Sequence, residues 1–516
     1  MSIIAMPKFE NKRFVNEVVG LRPFLVAVGL LALFSLLLAY VQFGTSALAG
    51  TDGYYHMKMA YLMRQEGLKP LFTYLPLTIL NETAFYDHHM LYHLYLSLFA
   101  TTDPVLDGGA GLTQGAKLAS IFLPALTFVA VWALLRRQRV LWPSLWALGL
   151  FIVSEPFLYR MSMPRAQSVS LLLLVLAMMV LLNGRFWLLL PLGFAFVWFY
   201  NAFPLLLVVT AVYIIATLAT ERRLLWQPLL LASLGIGLGL IINPYFPQNI
   251  TFITQHLLPK VGESAVKVGN EWNPYQTWTL VENSWGALIL LVLAIGALGW
   301  HDKRMNKATL FAFGLVIVFG YMLFKSRRFV EYFPAFVLIF AALAISPLLR
   351  QWVTDLRWKR PYLGQLLPFV LFLLLLFPLR VNLGEARGLM ARAKPADQYA
   401  DAALWLNENA PQATIFQTDW DDFTRLFFYN SDAVYTAGLD PTFMQLHDDD
   451  LFETWVDITK GRVAQPATLI RDRFNADYVF TDLKHENFIE EAEADPHLNE
   501  VYRDQYAIIY AVEQNQ

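Results

Sequence analysis

Apolar stretches of a length suited to crossing a lipid bilayer dominate the first 380 residues, and no other feature constrains the fold as strongly. A membrane-crossing helix needs roughly 20 mainly apolar residues, and a chain in lipid must satisfy its own backbone hydrogen bonds. About eleven such stretches lie at approximately 24–43, 114–135, 141–155, 167–183, 186–201, 203–220, 224–242, 284–300, 308–324, 331–349 and 363–379. The sequence therefore predicts an α-helical polytopic membrane domain over residues 1–380.

Composition agrees with this prediction and excludes several function classes. The chain is 57% hydrophobic and 16% charged, whereas soluble domains are about 25% charged. Its net charge of −2 gives no reason to expect a nucleic-acid partner. It contains no cysteine, which rules out disulfides, thiolate catalysis and cysteine-based metal sites.

Basic residues predict the orientation in the membrane, because loops rich in lysine and arginine stay on the cytoplasmic side. With a basic N-terminus in the cytoplasm, most loop clusters fall on that same side: Arg136, Arg137, Arg139, Arg185, Arg222, Arg223, Lys303, Arg304, Lys307, Arg350, Arg357, Lys359 and Arg360. The loops at about 44–113, 155–166, 243–283 and 325–330 then face outward. We predict an integral protein of the plasma (inner) membrane with its C-terminal part outside the cytoplasm.

Residues 381–516 have a different character and predict a separate soluble domain. This segment is rich in charge and has no apolar run long enough to span a bilayer. Period-two and helical patterns predict strands at 413–417, 433–436, 478–481 and 506–512 and helices at 397–409 and 451–460. We predict an extracytoplasmic α/β domain. In the long first external loop, two short helices are expected at about 54–66 and 87–100.

The first outward loop carries two polar clusters. Asp52 and His56 follow the first apolar stretch, and Asp87, His88 and His89 lie further along. On a helix, His89 and His93 would stand at i and i+4 on one side, a spacing suited to a divalent cation. The alternatives are that Asp52 only caps a turn and that the histidines are interfacial hydrogen-bonders.

The remaining outward loops supply further acids and arginines. Glu155 and Arg165 lie in the second outward loop, Glu271 precedes a later span, and Arg327 and Arg328 lie where two spans meet. Each has a structural alternative. Glu155 can simply end a span, the arginines can reach to lipid headgroups, and Glu282 competes with Glu271 as the functional acid of its loop.

Together these clusters fit chemistry on a lipid-linked sugar. A phosphate or pyrophosphate leaves without a protein acid when arginine or a metal neutralises its developing charge. An acceptor needs a carboxylate to take or orient its proton. We therefore expect one outward cavity where acids bind an acceptor or metal and arginines hold an anionic leaving group.

The order of these motifs resembles the GT-C superfamily of membrane glycosyltransferases, above all the catalytic subunits of oligosaccharyltransferases. Asp52-Gly-Tyr-Tyr-His56 is similar to the Asp–aromatic motif of their first external loop. Glu155 takes the place of a second acidic motif, and Glu271 or Glu282 that of a Glu in a mobile loop. Arg328-Phe329 matches the Arg-Phe that holds lipid pyrophosphate. Asp419 to Phe423 lie where those enzymes carry Trp-Trp-Asp-Tyr-Gly.

The resemblance implies an inverting glycosyltransferase that uses a polyprenyl-phosphate or polyprenyl-pyrophosphate donor. We assign the following roles: catalytic, Asp52, Glu155 and Glu271; donor phosphate, Arg328, Arg327 and Arg165; divalent cation (Mg²⁺ or Mn²⁺), Asp87, His88, His89 and Glu155; acceptor, His56, Tyr55, Trp420 and Asp421. Asp87, His88 and His89 have no clear counterpart in those enzymes, and we expect them to replace the metal ligands that this sequence lacks. The acceptor is a glycan, lipid or protein.

Two alternatives from other classes stay open at this point. A transporter or lipid flippase would carry ionisable residues near mid-bilayer, whereas here they gather at one surface. A non-catalytic subunit would use the C-terminal domain to bind glycans, with Trp420 and its aromatic neighbours as a stacking surface.

Overall fold

Long helices form most of the computed structural model, which describes residues 12–257, 270–301 and 305–514. Among these residues, seven helices are long and apolar enough to cross a membrane. They are Lys12–Gln42, Ala110–Arg137, Pro204–Glu221, Thr277–His301, Lys307–Lys325, Phe333–Lys359 and Pro361–Ala391. They confirm a polytopic helical membrane protein.

Three shorter apolar helices coincide with three further predicted spans: Gln167–Leu182, Phe186–Phe199 and Gln227–Ile241. The stretch predicted at 141–155 differs, because it forms only a helix at Pro143–Leu148 and a 3₁₀ turn at Gly149–Phe151. Ser154 then has an extended backbone, and its side chain caps the next helix, Glu155–Met161. This cap begins a separate short helix in the loop that carries Arg160 and Arg165.

Both helices expected in the first outward loop are present. They run from Asp52 to Glu66 and from Met90 to Ser97. Most residues of the first helix are buried, although the loop lies outside the predicted spans. The remaining short elements of this part are Gln248–Phe252, a π-helical turn at Ile253–Leu257, and 3₁₀ turns at Asn270–Trp272 and Arg327–Glu331.

A five-stranded sheet organises the C-terminal part. The strands are β1 (Thr414–Gln417), β2 (Val434–Tyr435), β3 (Tyr478–Asp482), β4 (Leu498–Arg503) and β5 (Ala507–Val512), in the order β2-β1-β3-β5-β4. β1 is parallel to β2 and β3, while β5 is antiparallel to β3 and β4. The surrounding helices are Ala400–Asn409, Phe423–Tyr429, Thr442–His447, Asp449–Thr459, Ala467–Phe474 and Glu486–Glu493, with a 3₁₀ turn at Trp420–Asp422. The predicted α/β domain is confirmed, with β4 as an additional strand.

The C-terminal part packs directly on the first outward loop. Ile79 N donates to Phe443 O at 3.0 Å, and Tyr435 N donates to Tyr74 O at 2.9 Å. The rings of Tyr54 and Phe428 meet edge to face, 5.2 Å apart. The division at residue 380 stays a prediction, since that residue lies inside the Pro361–Ala391 helix. This packing brings the turn at Trp420–Asp422 close to Asp52.

Candidate active site

Asp52 opens the first helix of the outward loop and is paired with an arginine of the second outward loop. Arg165 Nη2 lies 2.6 Å from Asp52 Oδ2. The adjacent Gly53 permits this approach, because a Cβ there would lie 2.3 Å from Pro164 Cγ. A negative charge at a helix N-terminus also interacts favourably with the helix dipole. The local sequence thus holds the Asp52 carboxylate against Arg165.

The Glu271 carboxylate is surrounded by three arginines. Arg160 Nη2 lies 3.0 Å and Arg165 Nη1 3.3 Å from Glu271 Oε2, and Arg328 Nη1 lies 3.1 Å from Oε1. Burial by itself would raise the pKa of Glu271, but the three guanidinium groups outweigh it and hold that pKa well below its usual range. Glu271 is therefore ionised, and the arginines form a site suited to an anion.

A second, fully buried acid completes this network. Glu331 is 0% exposed, and Arg160 Nε donates to its Oε1 at 2.6 Å. The network contains three arginines and three carboxylates: Arg160, Arg165, Arg328, Asp52, Glu271 and Glu331. Their formal charges cancel, so an incoming phosphate would need to displace a carboxylate from the arginines to be neutralised.

Aromatic side chains enclose Arg328. Its guanidinium lies over the Trp272 ring at 4.9 Å and over the Tyr200 ring at 5.9 Å, and it also bonds the Tyr200 hydroxyl. Arg327 behaves differently, because its backbone N–H donates to Asn273 O and its Nε to Pro274 O. Arg328 therefore belongs to the anion site, while Arg327 fastens the loop that carries Glu271.

The C-terminal part reaches the site through Asp421. Thr51, the residue before Asp52, donates its hydroxyl to Asp421 Oδ1 at 2.6 Å. Burial, together with Asp419 and Asp52, raises the pKa of Asp421. Trp420 is partly buried against the C-terminal core, and Tyr55 packs its ring on Phe427 at 6.0 Å. Of the predicted acceptor residues, Asp421 is linked to Asp52 through Thr51.

The histidines form a buried chain that begins at Asp87 and meets the arginine network where His89 stacks on Tyr200, with the ring centroids 5.3 Å apart. Asp87 Oδ2 lies 2.7 Å from His93 Nδ1, and His93 Nε2 lies 2.8 Å from His56 Nδ1. The His89 ring packs on His56 with its centroid 4.7 Å away. Burial lowers the pKa of His88 to about 3. Asp87, His93 and His56 thus hold one another through hydrogen bonds.

These positions do not assemble the metal site predicted from the sequence. Among the described residues, no group of three or more His, Asp or Glu side chains is arranged to hold a metal ion. Both Asp87 oxygens are used, by His93 and by the His89 backbone N–H at 2.9 Å. Glu155 lies elsewhere, where burial and Glu385 raise its pKa. The requirement for Mg²⁺ or Mn²⁺ thus stays a prediction, and the residues predicted to bind the ion are not arranged as a metal site.

Sequence reasoning found four members of the network and missed the others. Asp52, Arg165, Glu271 and Arg328 were candidates. Glu331 and Arg160 were not assigned a role, although Arg160 stands five positions before Arg165 in the same loop. Tyr200 gave no signal, since a tyrosine at the end of a predicted span is ordinary.

Comparison with protein-family models gave no match, and comparison with curated proteins gave none either. Solved structures do match. The apo crystal structure of the oligosaccharyltransferase from Archaeoglobus fulgidus aligns with a TM-score of 0.65 at 14% identity, covering 95% of this chain and 74% of that chain.

Two further matches are membrane glycosyltransferases as well. ArnT from Cupriavidus metallidurans bound to undecaprenyl phosphate aligns with a TM-score of 0.55 at 14% identity, over 95% of this chain and 99% of that one. The mycobacterial arabinofuranosyltransferase AftD aligns with a TM-score of 0.56 at 15% identity, over 95% and 40%. The chain has the GT-C fold. At these identities the likeness is one of fold alone.

Proposed function

We propose that this protein is an inverting glycosyltransferase that moves a sugar or oligosaccharide from a polyprenyl-phosphate or polyprenyl-pyrophosphate donor to an acceptor. The observation that carries the proposal is the cluster of Arg160, Arg165 and Arg328 around one carboxylate. Arginine matches phosphate oxygens with its fixed fork of donors. The cluster lies in the outward loops, next to apolar helices that would accommodate a polyprenyl tail.

Glu271 occupies the position that we assign to the donor's phosphate. Its carboxylate takes bonds from three arginines, and two anions cannot both hold those donors. On donor binding the phosphate replaces Glu271 at Arg328 and Arg160. Glu271 then lines the cavity, where it closes the site around the sugar.

The transfer is a single displacement at the anomeric carbon. The acceptor's oxygen or nitrogen forms a bond to that carbon while the bond from carbon to the phosphate oxygen breaks, which inverts the configuration. The phosphate leaves with the bonding electron pair, and Arg328 and Arg160 neutralise its charge. Asp52 takes or orients the acceptor's proton.

Known ligands of GT-C structures support the substrate class. The Cupriavidus metallidurans ArnT structure holds undecaprenyl phosphate, and the Archaeoglobus fulgidus enzyme was solved with an inhibitory peptide and a dolichol-phosphate. We infer a lipid-linked donor for this chain because it shares this fold and because its own arginine cluster is suited to a phosphate. With a cytoplasmic N-terminus, the reaction takes place on the extracytoplasmic face of the plasma (inner) membrane.

The test compares lipid-linked sugars in native membranes that carry either the wild type or Asp52→Asn. We expect a donor to accumulate only with the variant, and mass spectrometry of that species identifies the sugar and the lipid together. Asp401→Asn, which removes an exposed acid of the C-terminal part, is the matched control. An unchanged lipid pool at equal protein abundance would contradict the proposal.

A further inference from the structure

Arg165 is the one described side chain that joins both outward acids of the network. Its Nη2 contacts Asp52 Oδ2 at 2.6 Å, and its Nη1 contacts Glu271 Oε2 at 3.3 Å. The two acids come from distant segments, the Asp52–Glu66 helix and the Asn270–Trp272 turn. The Arg165 side chain is 17% exposed, whereas the Asp52 side chain is 36% exposed, so the bridge is shielded from water at the arginine and open to water at the aspartate.

Two carboxylates that contact one guanidinium are held together by its positive charge. Without Arg165, Asp52 would lose its arginine partner, whereas Glu271 would keep Arg160 and Arg328. In metal-dependent sites the cation is a divalent ion, which needs about six oxygen or nitrogen ligands, some of them water. Here the same gap is filled by a guanidinium, which is planar, permanently charged and able to donate to two carboxylates at once.

The surroundings offer little to a metal that would compete with Arg165. The histidines nearest to this region bond one another or stack, as His56 does with His93 and His89. Asp87 is committed to His93. Asp421, the remaining acid close to Asp52, accepts from Thr51 and has a raised pKa owing to burial. His56, Asp87 and Asp421 therefore each already have a protein partner.

We propose that the Arg165 guanidinium takes the place of a divalent cation between Asp52 and Glu271, so that this site is assembled and works without a metal. The proposal rests on the proposed function for its consequence in catalysis, but the bridge itself is independent of the reaction. A guanidinium has no open coordination position, so it cannot act as a Lewis acid on the acceptor. Arg328 and Arg160 then stabilise the leaving phosphate, because they are positively charged, as a metal ion would be.

The first experiment needs no substrate. Full-length protein in lipid nanodiscs is titrated with Mn²⁺ alone while its melting temperature and metal content are measured. We expect the wild type to show no saturable stabilisation and no stoichiometric metal. In Arg165→Gln, Asp52 and Glu271 lose their shared cation, and we expect Mn²⁺ to raise the melting temperature saturably. Asp52→Asn in that background should abolish the new response.

Two results would overturn the proposal. One is saturable Mn²⁺ stabilisation of the wild type that Asp52→Asn removes, because a metal would then already occupy the position. The other is a folded Arg165→Gln protein whose response to Mn²⁺ equals that of the wild type. Should Arg165→Gln fail to fold, Arg165→Lys keeps a cation in place, and its response must match the wild type for the proposal to stand.

A second experiment measures sugar transfer in EDTA. We expect the wild type to keep its turnover in chelator and Arg165→Gln to lose it. Loss of wild-type turnover in EDTA with recovery in Mn²⁺ would overturn the metal-free site while leaving glycosyl transfer intact. Absence of transfer under every condition, together with the expected Mn²⁺ titrations, would instead contradict the proposed function and leave the bridge standing.

Discussion

The arginines at the two ends of the membrane part have different surroundings. Arg160, Arg165 and Arg328 are 14%, 17% and 22% exposed, and each contacts a carboxylate. Arg136 and Arg350, at the end predicted to be cytoplasmic, are exposed and have no acid partner in the part of the chain that the structure describes. Arg350 donates to Arg139 O, and Arg136 lies over the Trp132 ring.

This difference separates two uses of the same residue type. Exposed arginines near a membrane surface fix orientation through their number, and their exact contacts matter little. Partly buried arginines are costly unless they are paired, so a fixed set of ion pairs points to a specific role. The paired cluster is therefore the one to which the proposed function assigns chemistry, and the exposed cluster is the one from which orientation was predicted.

The largest expected effect tests directly whether the paired and the exposed arginines differ in function. Arg328→Ala should lower sugar transfer by roughly a hundredfold or more, as removal of a charge-stabilising group typically does. Arg350→Ala removes the same side chain at the other end and should leave turnover near normal. Both are measured as initial rates of lipid-linked sugar consumption at equal protein abundance. Similar rates for the two variants would remove the distinction.

A smaller effect concerns stability. Arg160→Ala leaves Glu331, which is 0% exposed, without its cation, and loss of one partner of a buried pair costs about 3 kcal/mol or more. Arg136→Ala, at an exposed position, should change the free energy of unfolding by less than about 0.5 kcal/mol. Denaturant unfolding in detergent measures both. Equal stabilities would contradict a stabilising role for the buried pair of Arg160 and Glu331.

The smallest effect depends on pH and sharpens the role of Asp421. Burial raises the pKa of this carboxyl in the folded protein, so its contribution to stability is full at pH values below the unfolded pKa and is lost as pH rises through the folded pKa. Asp421→Asn should remove that loss and be relatively more stable at pH 7 than at pH 4.

The measurement for Asp421→Asn is the melting temperature relative to the wild type at pH 4 and at pH 7. Asp472 serves as the opposite control in these melting experiments. Its hydrogen bond with Arg471 lowers its pKa, so its contribution is present above the unfolded pKa and is lost as pH falls through the folded pKa. Asp472→Asn should therefore shift relative stability in the reverse direction. If the stabilities of the two variants changed with pH in the same direction, the raised pKa of Asp421 would be contradicted.

Local sequence patterns predicted most of the secondary structure. The helices at Asp52–Glu66 and Met90–Ser97 and strands β1, β2, β3 and β5 follow from periodicity and apolar runs. Strand β4 was missed, because only Leu498 of its six residues is buried, Tyr502 is partly buried and the other four are exposed. The stretch at 141–155 was taken for a continuous span, since hydropathy does not show that its helical residues run only from Pro143 to Phe151.

The sequence predicted several residues of the candidate site but not the ion pairs between them. The sequence placed Asp52, Arg165, Glu271 and Arg328 on one side of the membrane, because charged residues in outward loops stand out against apolar helices. It grouped Glu155 with Asp87 and the histidines, whereas the structure puts Glu155 near Glu385. Residue type and side of the membrane do not determine which acid meets which base.

By itself, the sequence determined a polytopic helical membrane protein, its predicted orientation and a soluble C-terminal α/β domain, because hydropathy and periodicity are properties of neighbouring residues. The tertiary structure alone decided that Arg165 joins Asp52 to Glu271, that Glu331 holds Arg160, and that Asp421 reaches Thr51. These pairings depend on the packing of segments far apart in the chain. A guanidinium finds its carboxylate only after those segments are brought together.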